Sequence, residues 1–452
     1  MPGVTLNEWA ATGTLIEFLV RDAARQNADL VVLPECAWPA YFLGSRGAYL
    51  AARAAGMPGP AEFLTRLGRL AGELHIAVCC GHVEEQPDRL YNTATLIGSD
   101  GRILGHHRKC FLWALDHDTF DAGDALTPIH TPFGRVGLLV CADARLPEIP
   151  ATLATGGAEL LLQPTAWVNA GPPDGLWNPQ PEFLIPTRAS EFGLPIAAAS
   201  KWGVEGPIEF VGSSLICVAA GRVRARCAAR GTQLALAEIS PTRPRPTPIT
   251  PAERASLTRP GGALVAAEAP TCAAVAFSAA GLVAEQIQAL SDAAATAFGT
   301  PAVLAHVSRS ASRDGSEAPP SVVYAFTPAA GAPPTRGPSP WIASLDAEEL
   351  GRFAYVRSLA ANGLLLLVSH GVGLNIQLTQ TRACENRIYV ATVTRDQALL
   401  VSPTGRVQYR SELRPDGDGG PPFVIDLNDA RCKLATDRTD VFAGRRPDLY
   451  RL

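Results

Sequence analysis

A chain of 452 residues, 47% hydrophobic and 18% charged, has the material for two or three domains and a large core. Its formal net charge of −4 argues against nucleic acid or an anionic membrane as the main partner. No apolar run approaches the ~20 residues that span a bilayer.

The opening MPGVTLNEWAATGTLIEF has neither a basic n-region nor a signal-peptide core, which predicts a cytoplasmic protein. Ten cysteines are scattered along the chain (Cys36, Cys79, Cys80, Cys110, Cys141, Cys217, Cys227, Cys272, Cys384, Cys432) with no CxxC pair and no zinc spacing. They read as reduced thiols, with no disulfide framework and no metal site. Of 39 basic residues only Lys109, Lys201 and Lys433 are lysines. A lysine kept in so arginine-rich a chain suits a task that needs a compact ammonium with three rotatable donors.

In chain order, residues 13–27 carry apolar positions at helical spacing, and ADLVVLPE (28–35) reads as a buried strand ending at Pro-Glu. A helix is expected near 61–73, then strands at 75–83 and a hairpin over 92–109 that turns at Ser99-Asp100-Gly101. VGLLVC (136–141) is a strand, followed by a helix from Leu146 to about Thr155 and the strand AELLLQPTAW (158–167). A helix near 180–192, the strand PIAAAS (195–200) and a hairpin over 213–226 complete the first half. Helices between apolar strands predict an α/β layered fold, and the hairpins make its sheets mixed.

Residues 241–262, rich in Pro, Arg and Thr, read as an extended linker between a first domain (1–240) and a second (263–452). The second repeats the pattern: strand 272–277, helix 280–296, strand 301–307, a short strand SVVYAF in a Pro/Gly-rich stretch (308–340), helix 346–361, strand 363–371, helix 374–386, strand 387–393 and hairpin 398–410. GAELLLQPTAWVNAG aligns with GLLLLVSHGVGLN, and PTRASEFGLPIAAAS with QTRACENRIYVATV. The second copy is shorter, which predicts a deletion of the stretch equivalent to that bearing Lys109 and Cys141.

Three residues able to do chemistry follow apolar strands in the first half: Glu35, Lys109 and Cys141. Strand ends at the carboxyl edge of an α/β sheet are where catalytic groups gather. Singly, Glu35 reads equally as a loop carboxylate, Lys109 as an exposed cation and Cys141 as a core thiol. Together, LVVLPE, HHRKC and GLLVCADARLPE resemble the three signature segments of the nitrilase, or carbon–nitrogen hydrolase, superfamily. FDAGD (120–124), TGGAELLLQPTAW and GSSLICVAAGRV agree, and TRACENRIYVATV and TDVFAGRRPDLY look like late segments of that family.

The resemblance implies a four-layer αββα sandwich for each of two modules, the second shortened. It implies a hydrolase of a linear amide or N-carbamoyl group, working without cofactor or metal. Cys141 would be the nucleophile, Glu35 the proton shuttle, and Lys109 with the backbone N–H of Ala142 the oxyanion donors. Asp116 and Asp118 are candidates for a further carboxylate. Asp143 either orients the turn after Cys141 or touches substrate; Arg145 either forms a structural ion pair or meets an anionic substrate; Trp167 either lines the pocket or is core. His106 and His107 read as solvated hairpin residues, and Glu148 as part of the helix after Cys141.

Two departures stand out. The family's opening strand before the first helix is not evident, and Ala-Asp follows the cysteine where nitrile hydrolases have Trp-Glu, which favours amides or carbamoyl groups. A nitrilase and a catalytically silent interaction protein remain the alternatives. The second module, without a triad, is expected to be a structural partner in an intra-chain pseudo-dimer, with further homo-oligomerisation open.

Overall fold

The protein's structure, a computed structural model, describes residues 1–172, 175–245, 247–265, 269, 271–277, 302–304, 306–308, 321–323, 341–371, 373–394, 396–412 and 423–452. It divides into two compact units. Unit 1 comprises Met1–Pro248, Thr436–Thr439 and Gly444–Leu452; unit 2 comprises Ile249–Ala435 and Asp440–Ala443. Among the described residues no helix is long and apolar enough to cross a membrane.

In unit 1, α1 (Trp9–Arg25) turns Ile16, Leu19, Val20 and Ala23 inward at helical spacing. After β1 (Leu30–Val32) and α2 (Arg46–Ala54), α3 (Pro60–Leu74) opens on a proline, where a missing N–H costs nothing. The strands β2 (Ala77–Gln86), β3 (Arg89–Ile97) and β4 (Ile103–Arg108) join β1 in one sheet of order β1-β2-β3-β4. β1 is parallel to β2, and the other pairs are antiparallel.

A one-turn helix, α4 (Asp116–Thr119), leads to β5 (Ile129–Thr131), β6 (Gly134–Leu138), α5 (Glu148–Thr155), β7 (Leu160–Thr165), α6 (Ile185–Phe192) and β8 (Ile196–Ser200). The hairpin of β9 (Trp202–Glu205) and β10 (Ile208–Val211) precedes β11 (Leu215–Cys217) and β12 (Val223–Arg226). The second sheet has the order β12-β11-β8-β7-β6-β5. Every residue of β7 is buried, because β1 and β2 pack across from it while helices cover the far face of its sheet. α3 lies on β2 and α1 on α3; α5 lies on β6 and α6 on β11. The layers therefore run helices, sheet, sheet, helices, the αββα sandwich expected. No opening strand precedes α1 among the described residues, where Pro2 makes only a single bridge to Trp202.

Unit 2 starts with a correction. The segment read as an extended linker carries a helix, α7 (Pro251–Thr258). Thr250 Oγ1 accepts from the Glu253 N–H at 3.2 Å, and the Glu253 carboxylate accepts from the Thr250 N–H at 2.7 Å. This reciprocal cap, with Pro251 at the first position, outweighs the stretch's extended composition.

The strands β13 (Cys272–Ala276) and β14 (Ala302–Leu304) precede a small hairpin of β15 (His306–Ser308) and β16 (Ser321–Val323). Then come β17 (Ile342–Asp346), α8 (Ala347–Gly351), α9 (Phe353–Ala361), β18 (Leu366–His370), α10 (Ile376–Asn386), β19 (Tyr389–Val393), β20 (Gln397–Val401) and β21 (Val407–Glu412). β22 (Phe423–Asp426), α11 (Leu427–Arg431), β23 (Leu434–Thr436) and β24 (Thr439–Asp440) close the chain's regular elements. The helix expected over 280–296 lies outside the described residues.

The sheet β17-β18-β19-β20-β21 has two parallel pairs and then two antiparallel pairs, the same sequence of directions as β6-β7-β8-β11-β12. Val136 pairs with Leu160 in unit 1, and Ile342 with Leu366 in unit 2. Arg188 Nε and Nη2 donate to the carbonyls of Ala144 (3.0 Å) and Arg145 (3.3 Å). Arg382 does the same to Leu350 and Gly351, both at 2.9 Å. The Val140 N–H meets the Asp143 carboxylate at 2.9 Å, and the Asp346 N–H meets the Glu349 carboxylate at 3.2 Å. Register, arginine clamp and cap all put Ala347 where unit 1 has Cys141. The cysteine segment is thus not deleted in the second half but kept as β17 and α8 without its thiol. β17 goes unseen in the sequence reading because it follows directly on the Pro/Gly-rich stretch.

Gly81 on β2 lets the backbone after β1 lie against the strand: a Cβ there would stand 2.3 Å from the Pro34 carbonyl oxygen and 2.7 Å from Glu35 Cα. Gly81→Ala is expected to destabilise unit 1 by about 1–3 kcal/mol in urea unfolding. Gly13→Ala in α1, where a Cβ meets nothing within 4 Å, should instead stabilise it by up to about 1 kcal/mol.

Candidate active site

β1 delivers Glu35 to the seam between the two sheets of unit 1, where its N–H donates to the Thr165 carbonyl at 3.2 Å. The carboxylate is fully buried. Oε1 accepts from Asn92 Nδ2 and from Lys109 Nζ, each at 2.7 Å, while Oε2 has no hydrogen-bond partner among the described residues. Lys109 follows β4, its N–H donating to the Asn92 carbonyl at 2.8 Å. Its ammonium also donates to Asp116 Oδ2 at 2.6 Å. Asp116 is held in turn by the Trp113 N–H on Oδ2 (2.8 Å) and the Tyr41 hydroxyl on Oδ1 (2.9 Å). Asp116, not Asp118, joins this cluster; Asp118 is exposed and pairs with Arg438.

Burial raises the Glu35 carboxyl above the usual range, Lys109 opposes that rise, and the charge of Asp116 adds to it. For Lys109, burial works against the ammonium, but the charges of Asp116 and Glu35 outweigh it and hold the group well above its ordinary value. Both act on the remaining partner, Cys141. Burial and the Glu35 charge, against the pull of Lys109, push its thiol up to about 12.

β6 ends at Leu138, and Cys141 begins a short 3-10 turn, Cys141–Arg145, before α5. Cys141 adopts φ 42°, a left-handed conformation uncommon for a residue with a Cβ. The turn is fixed from several sides. Asp143 Oδ1 accepts from the N–H groups of Cys110 (3.1 Å) and Phe111 (2.9 Å), and Oδ2 from Val140 N–H and His107 Nε2, both 2.9 Å. Asp143 thereby ties the cysteine turn to the segment just after Lys109. Its carboxylate is fully engaged and buried.

His107 is therefore not a solvated hairpin residue: it is buried against Asp143, whereas His106 is exposed. Alternation along β4 explains the difference, since His107 shares the face of Lys109 and His106 the opposite one. Arg145 stacks its guanidinium 4.0 Å over the Trp113 ring. Trp167 is wholly buried, its indole N–H without a hydrogen-bond partner among the described residues. Glu148 opens α5, is buried and pairs with Arg445 at 3.7 Å.

Four further residues complete the site and escape the sequence reading: Tyr41, Asn92, Gln163 and Gln180. Gln163 Nε2 donates to the Cys141 carbonyl (2.8 Å) and to Gln180 Oε1 (3.1 Å), and Gln180 Nε2 lies 3.8 Å from Cys141 Sγ. Each is an uncharged polar residue in or beside a buried strand or turn, a position where burial demands hydrogen bonds. A small cavity of about 100 Å3 beside Asp116 is lined by Tyr41, Phe42, Leu115 and Thr119 among others. Among the described residues no three His, Cys, Asp or Glu side chains are grouped to hold a metal ion.

A buried carboxylate, ammonium and thiol thus lie at the seam of an αββα sandwich. The chain belongs to the carbon–nitrogen hydrolase family, whose model matches residues 1–248. It is similar to the omega-amidase NIT2 of Mus musculus, 35% identical over 194 residues that make up 40% of this chain and 66% of that protein. A nitrilase of Pyrococcus abyssi is 30% identical over 224 residues, 49% of this chain and 81% of that one. Among solved structures, an amidase from Nesterenkonia sp. superposes with TM-score 0.46 at 26% identity, covering 51% of this chain and 84% of that chain. A carbon-nitrogen hydrolase from Helicobacter pylori G27 gives TM-score 0.45 at 26% identity, over 53% and 87%.

The raised thiol has a spectroscopic consequence. The difference in ultraviolet thiolate absorbance between the protein and Cys141→Ala is expected to stay flat from about pH 6 to about pH 9, because Cys141 is a neutral thiol throughout. A step in that range would mean a thiol acidified at rest.

Proposed function

We propose that this chain hydrolyses a linear amide or an N-carbamoyl group through a thioester on Cys141. The observation that carries the reading is the buried Glu35–Lys109–Asp116 chain acting on the Cys141 thiol. Glu35, with Oε2 unpartnered among the described residues and its proton affinity raised by burial, takes the thiol proton as Sγ attacks the carbonyl carbon. Negative charge gathers on the carbonyl oxygen, where the Lys109 ammonium and the Ala142 N–H stabilise it. Glu35 returns the proton to the leaving nitrogen, the C–N bond breaks, and ammonia or an amine departs. Glu35 then takes a proton from water, which attacks the thioester; collapse releases the acid and the thiol regains its proton. Asp116 keeps Lys109 charged and aimed, and Asp143 holds the turn. Ala-Asp after Cys141, in place of Trp-Glu, together with the higher identity to an omega-amidase than to a nitrilase, supports an amide rather than a nitrile.

Unit 2 fits a degenerate copy of the same fold, with Ala347 at the nucleophile's place, retained as a structural partner for the first module in one chain. The ten free thiols support a cytoplasmic location.

Ammonia release across a panel of amides, N-carbamoyl amino acids and nitriles tests the reading. Activity on the first two classes and none after Cys141→Ala is expected, and activity surviving that substitution would overturn the mechanism. Lys109→Arg, though it keeps the charge, should cost roughly a hundred- to a thousandfold in kcat, because a planar guanidinium cannot reproduce the ammonium's reach and donor geometry. Retention of a third of the turnover would make Lys109 dispensable. Residues 1–248 expressed alone should be unstable, since unit 1 also contains 436–439 and 444–452; a stable, fully active fragment would remove the structural role from the rest of the chain.

A further inference from the structure

The last residues of the chain return to unit 1 and fasten on the segment that carries Asp116. The Ala114 N–H donates to Thr439 Oγ1 at 2.8 Å, and Thr439 is buried. Ala114 has φ 47°, so its backbone occupies the left-handed region without being glycine and needs an outside restraint. The peptide unit joining Trp113 to Ala114 is bonded at both ends. Its carbonyl accepts the Asp116 N–H at 2.9 Å, and its N–H is the one that Thr439 takes. The N–H on the other side of Trp113 holds Asp116 Oδ2.

The far end of the same segment is pinned too. Arg446 Nη1 donates to the Gly123 carbonyl at 2.7 Å, and the Gly123 N–H donates to the Lys109 carbonyl at 2.8 Å. Gly123 sits so close to β4 that a Cβ would fall 2.1 Å from the Arg108 carbonyl oxygen. Between these pins Arg438 pairs with Asp118. Beyond them, Arg445 pairs with Glu148 at the start of α5, and the Arg451 N–H donates to Thr152 Oγ1 at 3.1 Å.

We propose that Thr439 is a positioning residue for catalysis: its hydroxyl fixes the Trp113–Ala114 peptide and thereby aims Asp116 at Lys109. The chain's terminal segment is then a working part of the site rather than a tail. This rests on the reading of Glu35, Lys109 and Asp116 as the groups that activate Cys141.

The test uses the full chain and three variants: Thr439→Val, which keeps the shape and removes the acceptor, Thr439→Ser, which keeps the acceptor, and Asp116→Asn. Three readouts are taken: the rate of Cys141 alkylation by iodoacetamide followed by peptide mass spectrometry, hydrogen exchange of the 112–119 segment, and kcat with KM on whichever amide the panel yields. Thr439→Val is expected to change the alkylation rate at least threefold in the same direction as Asp116→Asn. It should speed exchange in 112–119 but not in 141–155, and lower kcat about tenfold with KM moved less than twofold. Thr439→Ser should stay within twofold of the parent in all three. Wild-type behaviour of Thr439→Val beside a shifted Asp116→Asn would overturn the proposal, as would equal losses in the valine and serine variants. If Asp116→Asn itself leaves alkylation unchanged, the underlying reading of the charged chain fails, and the role of Thr439 with it.

Discussion

Everything at the centre of unit 1 is arranged around one buried ammonium. Lys109 bridges two carboxylates at 2.7 and 2.6 Å with all three groups out of water. Desolvating these charges is expensive, and their mutual attraction offsets the cost only when the remaining lone pairs are also satisfied. The surrounding residues meet that condition. Asn92 serves Glu35, Tyr41 and the Trp113 N–H serve Asp116, and Tyr41 is itself carried on a loop whose backbone N–H groups at Tyr41 and Phe42 are held by Glu205, the buried partner of Lys201. Removing one member of such a set leaves an uncompensated charge, a loss of about 3–5 kcal/mol. Glu35, Lys109 and Asp116 thus bind the ends of β1 and β4 and the α4 segment into one cluster, and the Glu35 N–H ties that cluster to β7.

The cysteine turn is set by a different carboxylate. Asp143 collects four donors from the Lys109 segment, from β4 and from its own turn, so Cys141 and Lys109 are referenced to one buried side chain. Arg188 then fixes the carbonyls at the end of the turn. Unit 2 keeps the arginine clamp and the reverse cap around Ala347. It has its own β-sheet in the same order of directions but no thiol at the turn. Retention of the clamp at Ala347, where neither the thiol nor the positive φ of Cys141 is kept, shows that the arginine serves the architecture independently of both.

The layered fold, Glu35 and Cys141 are legible in the sequence because apolar runs lead up to each residue, whereas Lys109 follows the partly exposed β4 and is picked out by the segment HHRKC. Asp116 and Asp118 are indistinguishable there. They lie two apart in a short polar stretch with no periodicity, and only the tertiary position of Lys109 separates the buried one from the exposed one. The burial of His107 is legible in its parity with Lys109 along the chain. The cap Thr250-Pro-Ala-Glu253 is a local helix signal set in proline-rich surroundings whose composition reads as extended. Asn92, Gln163 and Gln180 carry no local signal at all; their roles come from partners 22 to 57 residues away in the chain. The return of Thr439 and Arg446 to unit 1, across more than 300 positions, is of the same kind.

All three lysines are interior: Lys109 is 1% exposed, Lys201 0% and Lys433 7%. Lys433 donates to the carbonyls of Asn386 and Arg387, and burial together with the neighbouring charges of Arg387 and Arg357 pulls it down to about 7. Every side-chain cation that meets solvent at alkaline pH is therefore a guanidinium. The outer surface keeps its positive charge unchanged well past the range in which ammonium groups discharge. It also offers no exposed lysine amine to acylating or carbamoylating agents.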